Sequence, residues 1–236
     1  MATILVSASL IVRRLFYEMF LRLHMILAAM VITAIWIHSP SGKPLTSSTL
    51  YLLVASCLWA STYILWVGRI LYRNIKVGKP LSQAMIIYMP GAIQVHVKVS
   101  RPWKFRAGQF VYLCIPWVSY TAFAQSHPFM VSWWYCDLDG HDVIVFIIQP
   151  RRGFTRALRL HSSSDLRQST AMKAFIEGPY GKELHLESYG TVLLFATGAG
   201  IAGQLPYVKQ LLDGYQDHEV KTRRIALFWE MSSERK

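Results

Sequence analysis

The sequence predicts a membrane α-helical hairpin, then an antiparallel β-barrel, then a partial α/β nucleotide-binding unit. Three patterns predict this order. Two uncharged apolar runs each have about the 20 residues a helix needs to cross a bilayer. A two-residue alternation begins after Gly91, and an apolar strand further on runs into a glycine-rich turn. Composition agrees. Hydrophobic residues make up 53% and charged residues 16%, well under the roughly 25% charged share of an ordinary soluble domain. Part of the chain is therefore expected to leave water.

Met1 to about residue 14 is apolar but lacks the basic start and small-residue cleavage site of a signal peptide, and reads as the end of an upstream helix or loop. The hairpin follows over residues 15–75, with helices at about 15–38 and 47–70. Ser39-Pro40-Ser41-Gly42-Lys43-Pro44 breaks the two helices and supplies the turn. A net charge of +12 invites a nucleic-acid reading. Yet Arg13, Arg14, Arg69, Arg73, Lys76 and Lys79 flank the apolar runs, which is membrane topology rather than a groove for a polyanion. No nucleic-acid partner is expected. The lipid bilayer is the expected partner, with both hairpin ends cytosolic and the turn outside. Three scattered cysteines, Cys57, Cys114 and Cys136, fit neither a disulfide framework nor a zinc site.

His24 and His38 lie fourteen positions apart in the first run. At about 100° and 1.5 Å per residue they share one helix face and stand some 21 Å apart. Two readings stay open. The pair ligates haem iron at two membrane depths, or it sits at the two interfaces bonded to headgroups and neighbouring helices.

Barrel residues are expected over 76–187. Ile93, Val95, Val97 and Val99 alternate with polar positions, as in a half-buried strand. Gln109–Ile115, Phe129–Tyr135 and Val143–Ile148 follow as further strands, separated by turns such as Asp137–Gly140. His127-Pro128-Phe129 opens one of them. Pro128 holds His127 extended, which would set main-chain polar groups against a flat ring. Gln149-Pro150-Arg151-Arg152-Gly153-Phe154-Thr155 leads into a short helix, where Gly153 allows close approach and free N–H groups favour an anion. Taken singly, His127-Pro128-Phe129 reads as an ordinary turn-to-strand entry, and Arg151 and Arg152 as solvated charges.

The last segment, residues 188–236, opens with a strand at Thr191–Ala196. Thr197-Gly198-Ala199-Gly200-Ile201-Ala202-Gly203 and a helix to about Leu212 follow. Strand before and helix after give the glycines meaning as a pyrophosphate turn. Arg224–Trp229 reads as a second strand.

The run Arg13-Arg14-Leu15-Phe16-Tyr17-Glu18 through His24, ending in Trp36-Ile37-His38, resembles the fifth transmembrane helix of fungal ferric-chelate reductases, in a superfamily that includes the NADPH oxidases. Arg101–Tyr112, His127-Pro128-Phe129, Gly153-Phe154-Thr155 and Gly178-Pro179-Tyr180-Gly181 resemble, in order, an FAD domain of the ferredoxin-reductase type. The resemblance implies FAD held by His127, Pro128, Phe129, Gly153, Thr155 and Gly178. It implies NADPH or NADH on Gly198, Gly200 and Gly203, and haem b on His24 and His38 once a partner helix or chain supplies the opposing ligands. Electrons would pass from NAD(P)H through FAD to an extracellular ferric chelate. Met130 stands where the family often has Ser or Thr, so a side-chain bond to the flavin is missing there. Ser232, Ser233, Arg235 and Lys236 lie near where the family meets a 2′-phosphate. The resemblance reads as truncated at both ends, and weak or no NADPH turnover is expected from these residues alone. A superoxide-generating oxidase and a non-catalytic remnant are the alternatives.

Overall fold

The computed structural model describes residues 17–38, 46–118, 126–151, 153–165 and 169–231. The predicted outer turn, Arg13, Arg14, Arg152, Ser232, Ser233, Arg235 and Lys236 lie outside the described residues. The chain folds as two units, Met1–Gly68 and Arg69–Lys236.

In the first unit, helix α1 spans Tyr17–His38, and α2 begins at Ser47 and runs through the unit boundary to Asn74. Trp36 donates its indole N–H to Ser56 Oγ at 3.1 Å, joining the helices. Hydroxyls of Thr33, Ser61 and Thr62 bond to carbonyls three or four residues back, so none needs a solvent partner. Leu58, Ile64 and Leu65 are exposed. Among the described residues, α2 is long and apolar enough to cross a bilayer, and Leu23–His38 of α1 is a shorter apolar helix.

In the second unit, the strands are β1 (Gln83–Met89), β2 (Ala92–Lys98), β3 (Phe110–Cys114), β4 (His127–Met130), β5 (Trp133–Cys136) and β6 (Asp142–Ile148). Helix α3 (Phe154–Leu160), β7 (Met172–Lys173) and β8 (Phe175–Tyr180) complete the all-β part. Hydrogen bonding divides them into a five-stranded sheet, β5-β6-β2-β1-β7, and a three-stranded sheet, β4-β3-β8, both antiparallel. Among the described residues, pairing does not close these sheets into a ring. Ile93, Val95, Val97, Val111, Leu113, Phe146 and Ile176 meet in one core between them.

The expected strand Phe129–Tyr135 is in fact two strands in different sheets. The switch falls at Val131–Ser132. Val131 N–H bonds to Gln109 O at 3.0 Å in one sheet, and Ser132 N–H bonds to Val145 O at 2.9 Å in the other. The buried Ser132 hydroxyl accepts from Ile147 N–H at 3.2 Å, which satisfies the main chain at the corner. Strand β1 was not expected, because Met85-Ile86-Ile87-Tyr88 has no polar alternation.

Strands β9 (Thr191–Thr197) and β10 (Arg224–Glu230) are parallel and linked by α4 (Ile201–Gln216). Val192, Leu194 and Leu211 form their small core.

The last turn of α2 belongs to the second unit. Asn74, 1% exposed, donates its amide N–H to Ile176 O at 2.7 Å and accepts from Ile176 N–H at 2.8 Å. Arg73 donates to the carbonyls of Gly178 and Arg101 at 3.2 and 3.3 Å. These bonds sew the helix end to β8.

Candidate functional site

Strand β4 is the outer strand of its sheet, paired on one side with β3 in the register Leu113↔His127, Tyr112↔Pro128, Val111↔Phe129 and Phe110↔Met130. Pro128 lacks an N–H and is tolerated at such an edge. His127 stacks on Phe154 with ring centroids 4.4 Å apart and planes 21° apart. Phe129 lies 6.3 Å from the same ring. Phe154 is buried as the first residue of α3. The His-Pro-Phe strand and the Gly-Phe-Thr turn, 27 positions apart between His127 and Phe154, are thereby brought together.

Gly153 has φ +64, and a Cβ there would meet no atom within 4 Å. The turn thus presents bare main chain to open space. Thr155 Oγ1 accepts from Arg151 N–H at 2.9 Å and ties the loop across Gly153. Gly178 stands apart, since β3 lies between β4 and β8; its carbonyl takes the Arg73 bond described above.

Gly198–Gly200 form a single 3-10 turn between β9 and α4, and Gly203 sits in the first turn of α4. Trp229 of β10 donates its indole N–H to Gly198 O at 2.9 Å. A side-chain carbon at any of the three glycines would meet nothing within 4 Å. A groove of about 480 Å³ lined by Phe195, Thr197, Phe228 and Glu230 lies over the same strand ends, where parallel α/β sheets bind ligands.

A second set of contacts joins α4 to the sheets, and the sequence carried no pattern for it. Glu183 receives Arg106 and the Gln210 amide, the latter at 2.9 Å. Gln210 Oε1 in turn accepts Ala107 N–H at 2.7 Å. Burial pushes the Glu183 carboxyl up, but the bonds from Arg106 and Gln210 outweigh it and hold it below its usual range. Lys209 lies 5.0 Å over Trp133 and 5.5 Å over Trp134. A groove of about 900 Å³ opens beside these contacts and includes Trp103, Glu183 and Asp217. It contains neither the His127 cluster nor the glycine turn, so we do not assign it to a cofactor.

Asp137, Asp139 and His141 bring their ligand atoms within 4.8 Å of one another at the β5–β6 turn. A cation is already there: Lys98 Nζ lies 2.6 Å from Asp137 Oδ2. The Lys98 bond and the His141 N–H hold the Asp137 carboxyl down to about 2. A depressed carboxyl contributes stability above its unfolded value of 3.8 and loses it as pH falls through about 2. Melting temperature is therefore expected to fall between those limits, and Asp137→Asn should remove that part of the fall.

His24 and His38 lie on one continuous helix, α1. His38 Nδ1 is 2.9 Å from Ala34 O. In the tautomer that donates this bond, Nε2 carries the ligating lone pair.

Residues 80–184 match the family of FAD-binding domains. Among curated proteins, a ferric/cupric reductase transmembrane component of Saccharomyces cerevisiae is 31% identical over 204 residues, covering 84% of this chain and 26% of that protein. A probable cell surface ferric reductase of Aspergillus oryzae is 29% identical, covering 94% of this chain and 30% of its own length. The chain thus spans about a quarter to a third of these relatives, and the similarity fits a fungal ferric reductase. Among solved structures, an NADH-dependent reduced ferredoxin-NADP oxidoreductase aligns at 19% identity and TM-score 0.46, over 67% of this chain and 51% of its own.

Proposed function

We propose that this chain is the flavin-binding portion of a fungal ferric reductase, one that passes electrons from NAD(P)H through FAD to ferric chelates across a lipid bilayer. The observation that carries the reading is the His127–Phe154 stack, which gathers an outer strand and an open glycine turn at one place. His127, Pro128, Phe129, Gly153 and Thr155 would hold FAD, with Gly178 bracing β8. The donor set fits the group. The extended edge offers the Pro128 C=O and the main-chain groups of its neighbours to a flat ring, and Gly153 leaves space for a pyrophosphate beside them. Bound FAD would accept electrons in pairs and release them singly.

Gly198, Gly200 and Gly203 would receive the nicotinamide nucleotide, on a turn whose position Trp229 fixes. Arg106, Glu183 and Gln210 keep α4 docked on the flavin sheets, so the two cofactor turns hold a constant separation. The length and apolarity of α2 support a membrane-embedded hairpin, with the flavin part on the cytosolic side, where the basic residues gather. His24 and His38 are the proposed ligands for haem b at two depths, each completed by a histidine from a partner helix or chain.

The reading is tested with the full chain purified in detergent and supplied with FAD and haem. Photoreduced flavin should be reoxidised anaerobically by a ferric chelate, and NADPH or NADH should bind the chain saturably even where turnover is weak. No saturable binding of either nucleotide would overturn the nucleotide assignment. His24→Ala and His38→Ala should each reduce the haem Soret band by half or more, and unchanged haem content in both would remove them as ligands.

A further inference from the structure

The basic residues that end α2 do more than mark topology. Arg73 and Arg101 are held against one another, with the Arg73 guanidinium bonded to the Arg101 carbonyl. It also lies 4.8 Å over Trp103, and the Arg101 guanidinium lies 3.9 Å over Tyr72. Arg69, one turn earlier on the helix, bonds the Tyr180 hydroxyl. That hydroxyl in turn donates to Glu177 Oε1 at 2.6 Å, while Arg101 Nε is buried with no hydrogen-bond partner. Adjacent like charges repel, and a buried guanidinium N–H without an acceptor is costly. Both costs are relieved by an anion that accepts from planar donors, and phosphate suits arginine best.

The surroundings say which phosphate. Tyr72, Ile75 and Val77 are exposed beside the arginines, Val77 almost completely. Lys76 follows on the same segment. This surface continues from α2, the helix that is apolar enough to enter a bilayer. A surface that mixes cations with exposed aromatic and aliphatic groups at such a helix end matches the headgroup layer, where juxtamembrane Lys and Arg attract anionic lipids. A free anion would find the charges but leave the apolar rim uncovered.

We infer that Arg69, Arg73 and Arg101 form a site for the phosphate of an anionic phospholipid headgroup, with Tyr72, Ile75 and Val77 against the acyl-chain boundary. The inference rests on the membrane reading above. It gives the flavin unit a second attachment to the bilayer, independent of the covalent one, through the same β8 contacts that Arg73 already makes.

The test uses the full chain in phosphatidylcholine vesicles with and without phosphatidylglycerol. Entry into pure phosphatidylcholine vesicles tests the membrane reading alone, and failure there would sink both readings. After gentle re-extraction, lipid retained by each chain is measured by mass spectrometry. We expect phosphatidylglycerol to be retained in preference to phosphatidylcholine. Arg101→Gln and Arg69→Gln, neither of which removes a bond to buried main chain, should each weaken that retention about fivefold. A melting curve for each variant confirms that it is folded. Equal retention of the two lipids, or undiminished preference in both variants, overturns the inference. So does displacement of phosphatidylglycerol by inorganic phosphate, which would make the site one for a free anion.

Discussion

Gly153→Val is expected to raise the dissociation constant for FAD about a hundredfold, which corresponds to roughly 2.7 kcal/mol. Two effects add. A β-branched residue at φ +64 is strained, at a cost of about 1–3 kcal/mol, and its methyl groups project into the open space where we place the pyrophosphate. The second effect is the functional one, and a matched variant separates it. Gly140 has φ +74 and an equally open surround, but it sits at the β5–β6 turn. Gly140→Val should lower the melting temperature by a similar amount and leave FAD affinity within about twofold. Equilibrium titration of both variants, read by flavin fluorescence, decides the matter. Equal loss in the two would mean that strain alone was being measured.

Asn74→Leu is expected to destabilise the second unit by about 2–6 kcal/mol. The two side chains share a branched heavy-atom skeleton and the change leaves no cavity, so the main loss is not one of packing. It is the buried N–H and C=O of Ile176, both bonded to the Asn74 amide, that would be left without partners. Each unsatisfied group costs about 1–3 kcal/mol. For a chain of this size each kcal/mol lowers the melting temperature by roughly 2–4 °C, so thermal unfolding of the full chain in detergent reads the effect clearly. Asn74→Asp keeps the acceptor for Ile176 N–H but faces Ile176 O with a carboxylate, and should be no less damaging. A shift under about 1 kcal/mol for Asn74→Leu would show that water replaces the amide at this joint.

Much of the fold was legible because side-chain periods report faces. Strand β2 was readable because Ile93, Val95 and Val97 face the core while Gln94, His96 and Lys98 do not. The unit β9–α4–β10 was readable because its glycines fall between an apolar strand and a helix. Strand β1 escaped because Met85-Ile86-Ile87-Tyr88 is apolar throughout, though only alternate residues are buried. Phe129–Tyr135 reads as one strand because only Ser132 interrupts its apolar run, and its change of sheet there depends on Gln109 and Val145, both distant in sequence.

The candidate site divides similarly. His127, Gly153 and Thr155 stood out through a resemblance of short motifs, whereas the stacking of His127 on Phe154 had no local signal. Asn74, Arg106, Glu183 and Gln210 are single polar residues in no repeating pattern, and their partners lie far along the chain or on another element. Nothing short of tertiary structure joins them.

The most direct test of the account is a titration of FAD into the full, flavin-stripped chain in detergent, followed by quenching of flavin fluorescence. We expect one saturable site, weakened about tenfold by His127→Ala. His96→Ala, on the other sheet and bonded to Tyr135 and Gln94, should not change it. Undiminished affinity in His127→Ala, or equal losses in the two variants, would contradict a flavin site built on the stack of His127 and Phe154.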